Sequence, residues 1–181
     1  MKRKPAAGFT LIEALVVISI TAILVAIGVP SFRNFVAGRA VTAQVNELAV
    51  TLRLARTEAI KRGTLVTVCR SEDPEGDTPT CSGDGDWSSG WIAFVDRATR
   101  GQFDEGDMII RVQSAFDNSG GITRAGGAVI SYWPSGVARA AAGNFMFRPR
   151  LDAGDANFET LSRRMCTSMV GATRLAEGGA C

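Results

Sequence analysis

Gly8-Phe9-Thr10-Leu11-Ile12-Glu13 is the stretch that decides how this chain is organised. A short basic leader precedes it, and an apolar run that ends at Val29 follows it. Across residues 9–29 the only charged side chain is Glu13. At about 1.5 Å per residue, a helix of this length is about 30 Å long, which matches the hydrocarbon core of a bilayer. The sequence therefore predicts a membrane-spanning helix with one carboxylate, whose cost of about 2.5–3.5 kcal/mol in lipid marks it as functional.

Three interpretations of the N-terminus compete. A secretory signal peptide has an apolar stretch of about 7–15 residues with small residues after it, at the cleavage site. Here the small residues 6–8 come before a longer stretch. A signal anchor explains the cations at 2–4 as the flank that keeps the N-terminus in the cytoplasm, but it leaves Glu13 unexplained. The third interpretation treats residues 8–13 as one processing motif.

This motif, with its basic leader and its apolar run, resembles the processing site of type IV prepilins and of type II secretion pseudopilins. In that superfamily a membrane aspartyl peptidase cuts after the glycine and methylates the new N-terminus. The resemblance implies cleavage between Gly8 and Phe9, N-methylation of Phe9, and pairing of Glu13 with the terminal amine of a neighbouring subunit in a helical filament. Two charges that are costly in lipid one at a time become tolerable when they are desolvated as a pair.

Composition limits the remaining functions. The chain has 181 residues, which leaves about 150 beyond the membrane segment, enough for one domain with its own core. Histidine is absent, which excludes His-based catalytic triads and His-ligated metal sites. No Ser-x-x-Lys motif and no Gly-rich phosphate loop occurs. We therefore expect a protein that is not an enzyme and that carries no cofactor and no metal.

The four cysteines form two pairs that are local in sequence: Cys69 with Cys81, and Cys166 with Cys181. Outside the cytoplasm an oxidising compartment favours disulfides. Four cysteines allow three connectivities, of which we predict the local one. A zinc site is the alternative, but neither pair has the C-x₂₋₄-C spacing that structural zinc sites use.

A helical pattern resumes beyond Pro30, where apolar residues recur every three or four positions. The pattern predicts one helix over 9–62, apolar all round in its first half and amphipathic in its second. Pro30 should kink or locally melt this helix, and Gly63 should cap its end. Glu58 and Arg62 form a favourable i,i+4 pair. The predicted buried stripe consists of Val41, Val45, Leu48, Leu52, Ala55 and Ala59.

After Gly63 the pattern changes to short β-branched and aromatic runs separated by Gly, Pro, Asp and Ser. We predict a strand at 64–70, a strand pair at 91–96 and 108–113, a second pair at 128–133 and 144–148 around the turn 134–136, and a last strand at 164–170. This predicts an α+β fold in which the long N-terminal helix packs on an antiparallel sheet. The predicted divisions are a leader (1–8), an assembly helix (9–29), its amphipathic continuation (30–62) and a β-rich domain (63–181).

A second resemblance narrows the family. The stretch 66–70, an acidic loop that contains a cysteine, and the stretch 87–96 are together similar to the FimT/GspH family of minor pilins and pseudopilins. The resemblance implies a minor pilin that primes assembly near the tip of a type IV pilus. The alternative is the H-type pseudopilin of a type II secretion system. The implied partners are prepilin peptidase, other pilins and the inner membrane, with the C-terminal domain in the periplasm.

Some members of that family bind DNA during natural transformation, through a Gly-Arg-x-Arg element near the C-terminus. Residues 171–174 have the glycine and the last arginine of this element, but Ala172 replaces the first arginine. An ordinary solvated surface therefore stays open as the alternative. Guanidinium groups suit phosphate contacts. The candidate DNA-binding residues are Arg148, Arg150, Arg163, Arg164 and Arg174.

The acidic residues of the β-rich part have a simpler interpretation. Asp104, Glu105 and Asp107 suggest a calcium site, but the residues that follow Asp96 do not have the spacing of a calcium-binding loop. We favour a solvated polar turn, and likewise a turn at Asp86.

Overall fold

The computed structural model describes residues 9–139, 142–176 and 181. The chain forms two compact units that divide between Val36 and Ala37. In the first unit, the described part consists of Phe9, Thr10 and helix up to the division. Pro30 lies inside the helix, whose backbone stays helical through it, so the predicted local melting is wrong. Proline removes one backbone donor, and a helix that is already formed on both sides tolerates that loss.

Within the described residues, the second unit contains the rest of this helix, nine strands and a second, short helix. A 3₁₀ turn at Trp87–Ser89 precedes β2. In chain order the elements are α1 (Leu11–Arg62), β1 (Val66–Arg70), β2 (Trp91–Val95), β3 (Met108–Gln113), β4 (Ile122–Ala125), β5 (Val129–Tyr132), β6 (Ala138–Arg139), β7 (Gly143–Phe147), α2 (Phe158–Leu161), β8 (Arg163–Thr167) and β9 (Thr173–Leu175).

Helix α1 ends as its sequence predicts. Gly63 follows it with a φ of 63°, a left-handed conformation that glycine adopts without strain. Arg62 pairs with Glu58 one turn earlier, and hydrogen bonding to the Arg62 guanidinium lowers the pKa of the Glu58 carboxyl. Every residue of the predicted stripe is buried, together with four that the pattern did not include: Ala37, Gln44, Ala49 and Thr51.

The strands form two antiparallel sheets. The five-stranded sheet has the order β3-β2-β1-β5-β6, and the four-stranded sheet has the order β4-β7-β8-β9. The predicted α+β class, with a long N-terminal helix packed on antiparallel β-structure, is confirmed.

The predicted pairing of 128–133 with 144–148 is wrong. β5 pairs with β1 and β6, whereas β7 pairs with β4 and β8 in the other sheet. The turn after β5 is present, since the Gly136 N–H donates to the Trp133 carbonyl at 2.8 Å. However, the strand that it leads into is the two-residue β6, and the chain then passes to the second sheet.

The predicted last strand, 164–170, is also wrong in its extent. β8 ends at Thr167, and the N–H of Gly171 donates to the carbonyl of Ser168 at 2.9 Å to close a turn. Gly171 has a φ of 75°, which lets the chain reverse and return as β9.

One hydrophobic core is shared by α1 and both sheets. Trp91 from the five-stranded sheet and Phe145 from the four-stranded sheet both pack on Trp87, with ring centroids 6.3 and 5.1 Å from its ring. The contact with Phe145 is edge-to-face, a geometry that adds about 0.5–1.5 kcal/mol beyond the burial of area. The indole N–H of Trp91 donates to the hydroxyl of Thr51 at 3.1 Å, which joins α1 to the core by a buried polar contact.

Arg124 on β4 spans the two sheets. Its guanidinium carbon lies 5.9 Å from the Trp87 ring and 5.2 Å from the Phe145 ring. It donates to the carbonyls of Gly127 and Val129, the second of which belongs to β5. Burial lowers the pKa of Arg124 to about 10, so the side chain remains charged at neutral pH and keeps its attraction to both rings.

A buried polar network anchors the loop between β2 and β3. The carboxylate of Asp96 accepts from the hydroxyl of Thr67 at 2.7 Å and from the N–H of Gly101 at 2.8 Å. Ser131 completes the network, with its hydroxyl 2.8 Å from that of Thr67. These contacts hold the start of the loop against the face of the five-stranded sheet that is opposite the core.

Replacing Thr51 by valine should destabilise the protein, because the buried indole N–H of Trp91 loses its acceptor. We expect a loss of about 1–3 kcal/mol in the free energy of unfolding, measured by far-UV circular dichroism in urea. Thr57→Val is the matched control, since exposed Thr57 also donates to a helix carbonyl four residues back. Equal effects of the two substitutions would show that the contact with Trp91 contributes nothing.

Candidate functional site

The processing motif lies at the beginning of α1. Phe9 and Thr10 precede the helix, and Gly8 lies outside the described residues. The N–H of Glu13 donates to the Thr10 hydroxyl at 3.3 Å, so Thr10 caps the first turn. Threonine followed three residues later by glutamate is the sequence pattern of a capping box. The helix therefore begins two residues after the predicted cleavage point, and Glu13 lies in its first turn.

The surroundings of Glu13 are apolar and exposed. Among the described residues, α1 is the one helix that is long and apolar enough to cross a membrane; its most apolar window of 18 residues has a mean hydropathy of 2.6, and no residue of that window is buried. The hydroxyls of Ser19 and Thr21 donate to helix carbonyls four residues back, so they need no outside partner. The Glu13 carboxylate, in contrast, has no hydrogen bond and no ion pair within the described part of the chain.

The cysteines are joined in the local connectivity. Cys69 bonds to Cys81, 12 positions along the chain, and Cys166 bonds to Cys181, 15 positions along. Arg70, next to the first pair, is buried and donates to the Gly83 carbonyl at 3.0 Å, so the cysteine loop is also fixed by a side chain. In the chain-entropy model, closing loops of this length stabilises the fold by about 3 kcal/mol each.

The four-stranded sheet brings three of the five candidate arginines onto one face. Arg174 lies opposite Cys166, and Arg164 lies opposite Met146, so these two arginines face away from the core. Arg148 continues the same alternation, since Phe145 and Phe147 face the core, and its guanidinium donates to the hydroxyl of Thr123. The Cys166–Cys181 disulfide lies on this face beside Arg174.

The other two candidate arginines do not join this face. Arg163 donates to the carbonyls of Thr160 and Ser162, at 2.6 and 2.9 Å, so its guanidinium is held beside its own backbone. Arg150 donates to the carbonyl of Asp117. Residues 171–174 do not form one loop as the family element would suggest, because Arg174 lies within strand β9.

The acidic residues between β2 and β3 act on their own backbone. Asp107 accepts from the N–H groups of Arg97 and Asp104, and Asp104 accepts from the N–H of Thr99, at 2.7–3.0 Å. Within the residues that the structure describes, no cluster of Cys, Asp and Glu has the arrangement of a metal site.

Asp86 has a larger structural role than a simple turn. It caps the 3₁₀ turn through the N–H of Ser88 at 2.8 Å, and the same oxygen accepts from the N–H of Ile122 on β4 at 2.7 Å.

Comparison with known structures gives the fold of a minor pilin. Two crystal structures of the type IV minor pilin FimU from Pseudomonas aeruginosa align with this chain. One has a TM-score of 0.50 at 15% identity and covers 75% of this chain and 92% of FimU. The other has a TM-score of 0.53 at 14% identity and covers 76% and 88%. At this identity the likeness concerns the fold alone.

Two family models match the sequence. The prokaryotic N-terminal methylation motif matches residues 3–29, and the type II transport protein GspH matches residues 44–171. The first implies processing by prepilin peptidase and a family that assembles into filaments, and with the apolar helix it fits anchoring in the inner membrane. The GspH family consists of structural pilins and pseudopilins. Because the GspH match covers more than half of the chain, the protein belongs to the GspH family of type IV pilin-like proteins.

Proposed function

We propose that this chain is a minor pilin of a type IV pilus that takes part in priming and assembling the filament. Before assembly, residues 9–29 hold it in the inner membrane with its C-terminal domain in the periplasm. The observation that carries this proposal is the Glu13 carboxylate, which lies on an apolar helix without a partner within the described residues. The proposed partner is the terminal amine of a neighbouring subunit.

The first unit supports this role by the surface that it exposes. Its helix presents large apolar side chains over its whole circumference, far more than a soluble protein leaves in contact with water. Lipid covers such a surface before assembly, and the helices of other subunits cover it afterwards. Ser19 and Thr21 are compatible both with lipid and with contacts between helices, because their hydroxyls already donate to carbonyls of their own helix.

The position of Glu13 suits a charge that selects how subunits are aligned. Cleavage after Gly8 would place a positive amine on Phe9, next to the N-terminus of α1. The helix dipole also makes that end positive, so an amine there is unfavourable without a nearby anion. A carboxylate from an adjacent helix would compensate both charges, and a buried ion pair of this kind can fix the register between helices.

The first test concerns cleavage of the chain by prepilin peptidase. In cells that contain an active prepilin peptidase, we expect the mature chain to begin at N-methylated Phe9. Gly8→Val should leave the uncleaved precursor, which intact-protein mass spectrometry detects as an excess equal to residues 1–8. Ala7→Val is the control and should be processed. A mature protein that still begins at Met1 would contradict the proposal.

Glu13→Gln tests the role of the charge. The substitution keeps the side chain's shape and should leave membrane insertion intact, while incorporation into filaments falls at least about tenfold, because about 1.4 kcal/mol of pairing energy is enough for that factor. Immunoblots of sheared filaments and of membranes give the two readouts. Ser19→Ala is the control in the same segment. Unchanged incorporation of the glutamine variant would remove Glu13 from the assembly step.

A role as the H-type pseudopilin of a type II secretion system is the alternative, and the name of the matching family model favours it. The N-terminal helix would have the same role in both systems, so it cannot distinguish them. The phenotype of a deletion strain can. Loss of surface pili with normal protein secretion supports the pilus. Periplasmic retention of secreted proteins with normal pili supports the pseudopilin.

DNA binding is a second candidate activity, and the shared face of Arg148, Arg164 and Arg174 favours it. Guanidinium groups on one side of a sheet suit phosphate contacts that read no base sequence, and Arg174 is the exposed member of the three. Ala172 lacks the cation that the family element has, so these contacts would have to come from strands β8 and β9 and from Arg148, which follows β7.

Arg174→Gln should weaken any DNA binding. Because one phosphate contact is lost, the slope of log K against log salt should decrease in magnitude by about one. Electrophoretic mobility shifts over a series of salt concentrations measure both effects. Arg163→Gln is the matched control, because that guanidinium is already held by two backbone carbonyls. The absence of a shift by the unmodified protein at low salt would end this proposal.

A further inference from the structure

Exposed apolar side chains gather around the turn between β5 and β6. They come from three separate parts of the chain: the end of α1, the turn itself, and the turn between β8 and β9. All belong to the second compact unit. We refer to them as the β5–β6 patch, which consists of Ile60, Trp133, Val137, Met169 and Val170.

The backbone holds these three segments together. The Ala138 N–H donates to the carbonyl of Met169, which ties the β8–β9 turn to β6. At Gly136 an added Cβ would lie 2.9 Å from the side chain of Ile60, so the β5–β6 turn rests directly on the end of α1. An added Cβ at Gly171 would lie 2.8 Å from the ring of Tyr132, so the second turn packs equally closely. The patch is therefore a surface of fixed shape.

Met169 and Val170 are the most exposed members, at 68% and 59%. A two-residue apolar tip on a tight turn contributes nothing to the core of its own chain, because it points into solvent. Such side chains commonly mark a protein contact.

Cations surround the patch. The Arg100 guanidinium lies 5.0 Å from the centroid of the Trp133 ring, and Arg56 lies beside Gly136. Arg139 is exposed on β6. The stretches 56–62, 133–139 and 168–171 contain a single carboxylate, Glu58, which Lys61 and Arg62 already engage. These three stretches therefore carry a net positive charge.

We propose that the β5–β6 patch is a docking site for another filament subunit, whose contacting surface is apolar at its centre and acidic at its rim. That the partner is a filament subunit rests on the proposed function. That its contacting surface is apolar and acidic follows from the patch itself. A symmetric contact between two copies of this chain is disfavoured, because it would bring Arg56, Arg100 and Arg139 of one copy against the same cations of the other.

A protein partner fits better than an anionic lipid surface. Side chains that enter a bilayer must extend from the protein. Met169 and Val170 do so, but Trp133 is held under Arg100 and Ile60 rests on the β5–β6 turn. A rigid apolar surface with cations at its edge matches the anatomy of a protein interface, in which a dry centre is enclosed by a polar rim.

Site-specific photocrosslinking in cells tests the proposal with the full-length chain. p-Benzoylphenylalanine in place of Val170 should give one discrete adduct, and mass spectrometry should place the crosslink in a processed pilin-like subunit, within a segment that carries Asp or Glu. The control is the same probe in place of Val112, an exposed residue on β3 outside the patch. Equal crosslinking from Val112, an adduct with phospholipid, or a partner segment without acidic residues would each overturn the proposal.

Charge reversal gives an independent readout. Arg100→Glu should reduce the Val170 adduct at least tenfold, and an acid-to-lysine substitution in the identified segment should restore it. Unchanged crosslinking by Arg100→Glu would contradict the role of the rim. Arg97→Glu is the control in the same loop and outside the patch.

Failure of this inference can be told apart from failure of the proposed function. If the unmodified chain never enters a filament, the proposed function fails. If it does enter, but Val170→Asp enters equally well, the patch is not a docking site. Circular dichroism of Val170→Asp confirms that the variant is folded.

Discussion

The buried stripe of α1 is the contact on which the second unit depends. Both sheets contribute residues to the same core as this stripe. Small side chains such as Ala49, Ala55 and Ala59 let the strands approach closely, and the hydroxyl of Thr51 gives the indole of Trp91 the acceptor that burial demands. A single helix therefore contributes to the core faces of both sheets.

The first half of the same helix is exposed, unlike the buried stripe of its second half. There the apolar residues find no strands to cover them, and Glu13 has no counter-charge within the described chain. Thr10 satisfies a backbone donor of the first turn but cannot neutralise the carboxylate. The second half of the helix is thus covered by its own domain, whereas we propose that other subunits cover the first half in a filament. The two family matches, over residues 3–29 and 44–171, also fall on either side of the division between the two units.

Features of the fold that depend on residues close together in sequence could be predicted, whereas those that depend on pairing between distant strands could not. The extent of α1, its stripe and the Gly63 cap follow from spacing along the chain. The role of Glu13 comes from the resemblance to prepilins and stays a prediction. The Thr10 cap was readable as T-x-x-E but was missed. Strands β4, β6 and β9, of four, two and three residues, are too short to show a period. The division of β5 and β7 between two sheets is set by pairing across the whole domain, and so is the separation of Arg163 from Arg164 onto different sides of β8.

The two surfaces to which we assign partners have opposite requirements. Glu13 is an acid in apolar surroundings and requires a cation, whereas the β5–β6 patch is apolar with a basic rim and requires acids. The β5–β6 patch is not complementary to itself, so a two-fold symmetric dimer does not satisfy it. Contacts between unlike surfaces do not close on themselves unless the rotation between neighbours happens to close a ring, and they otherwise extend into open helical polymers. The charge distribution of this chain therefore favours the same kind of assembly that its N-terminal motif indicates.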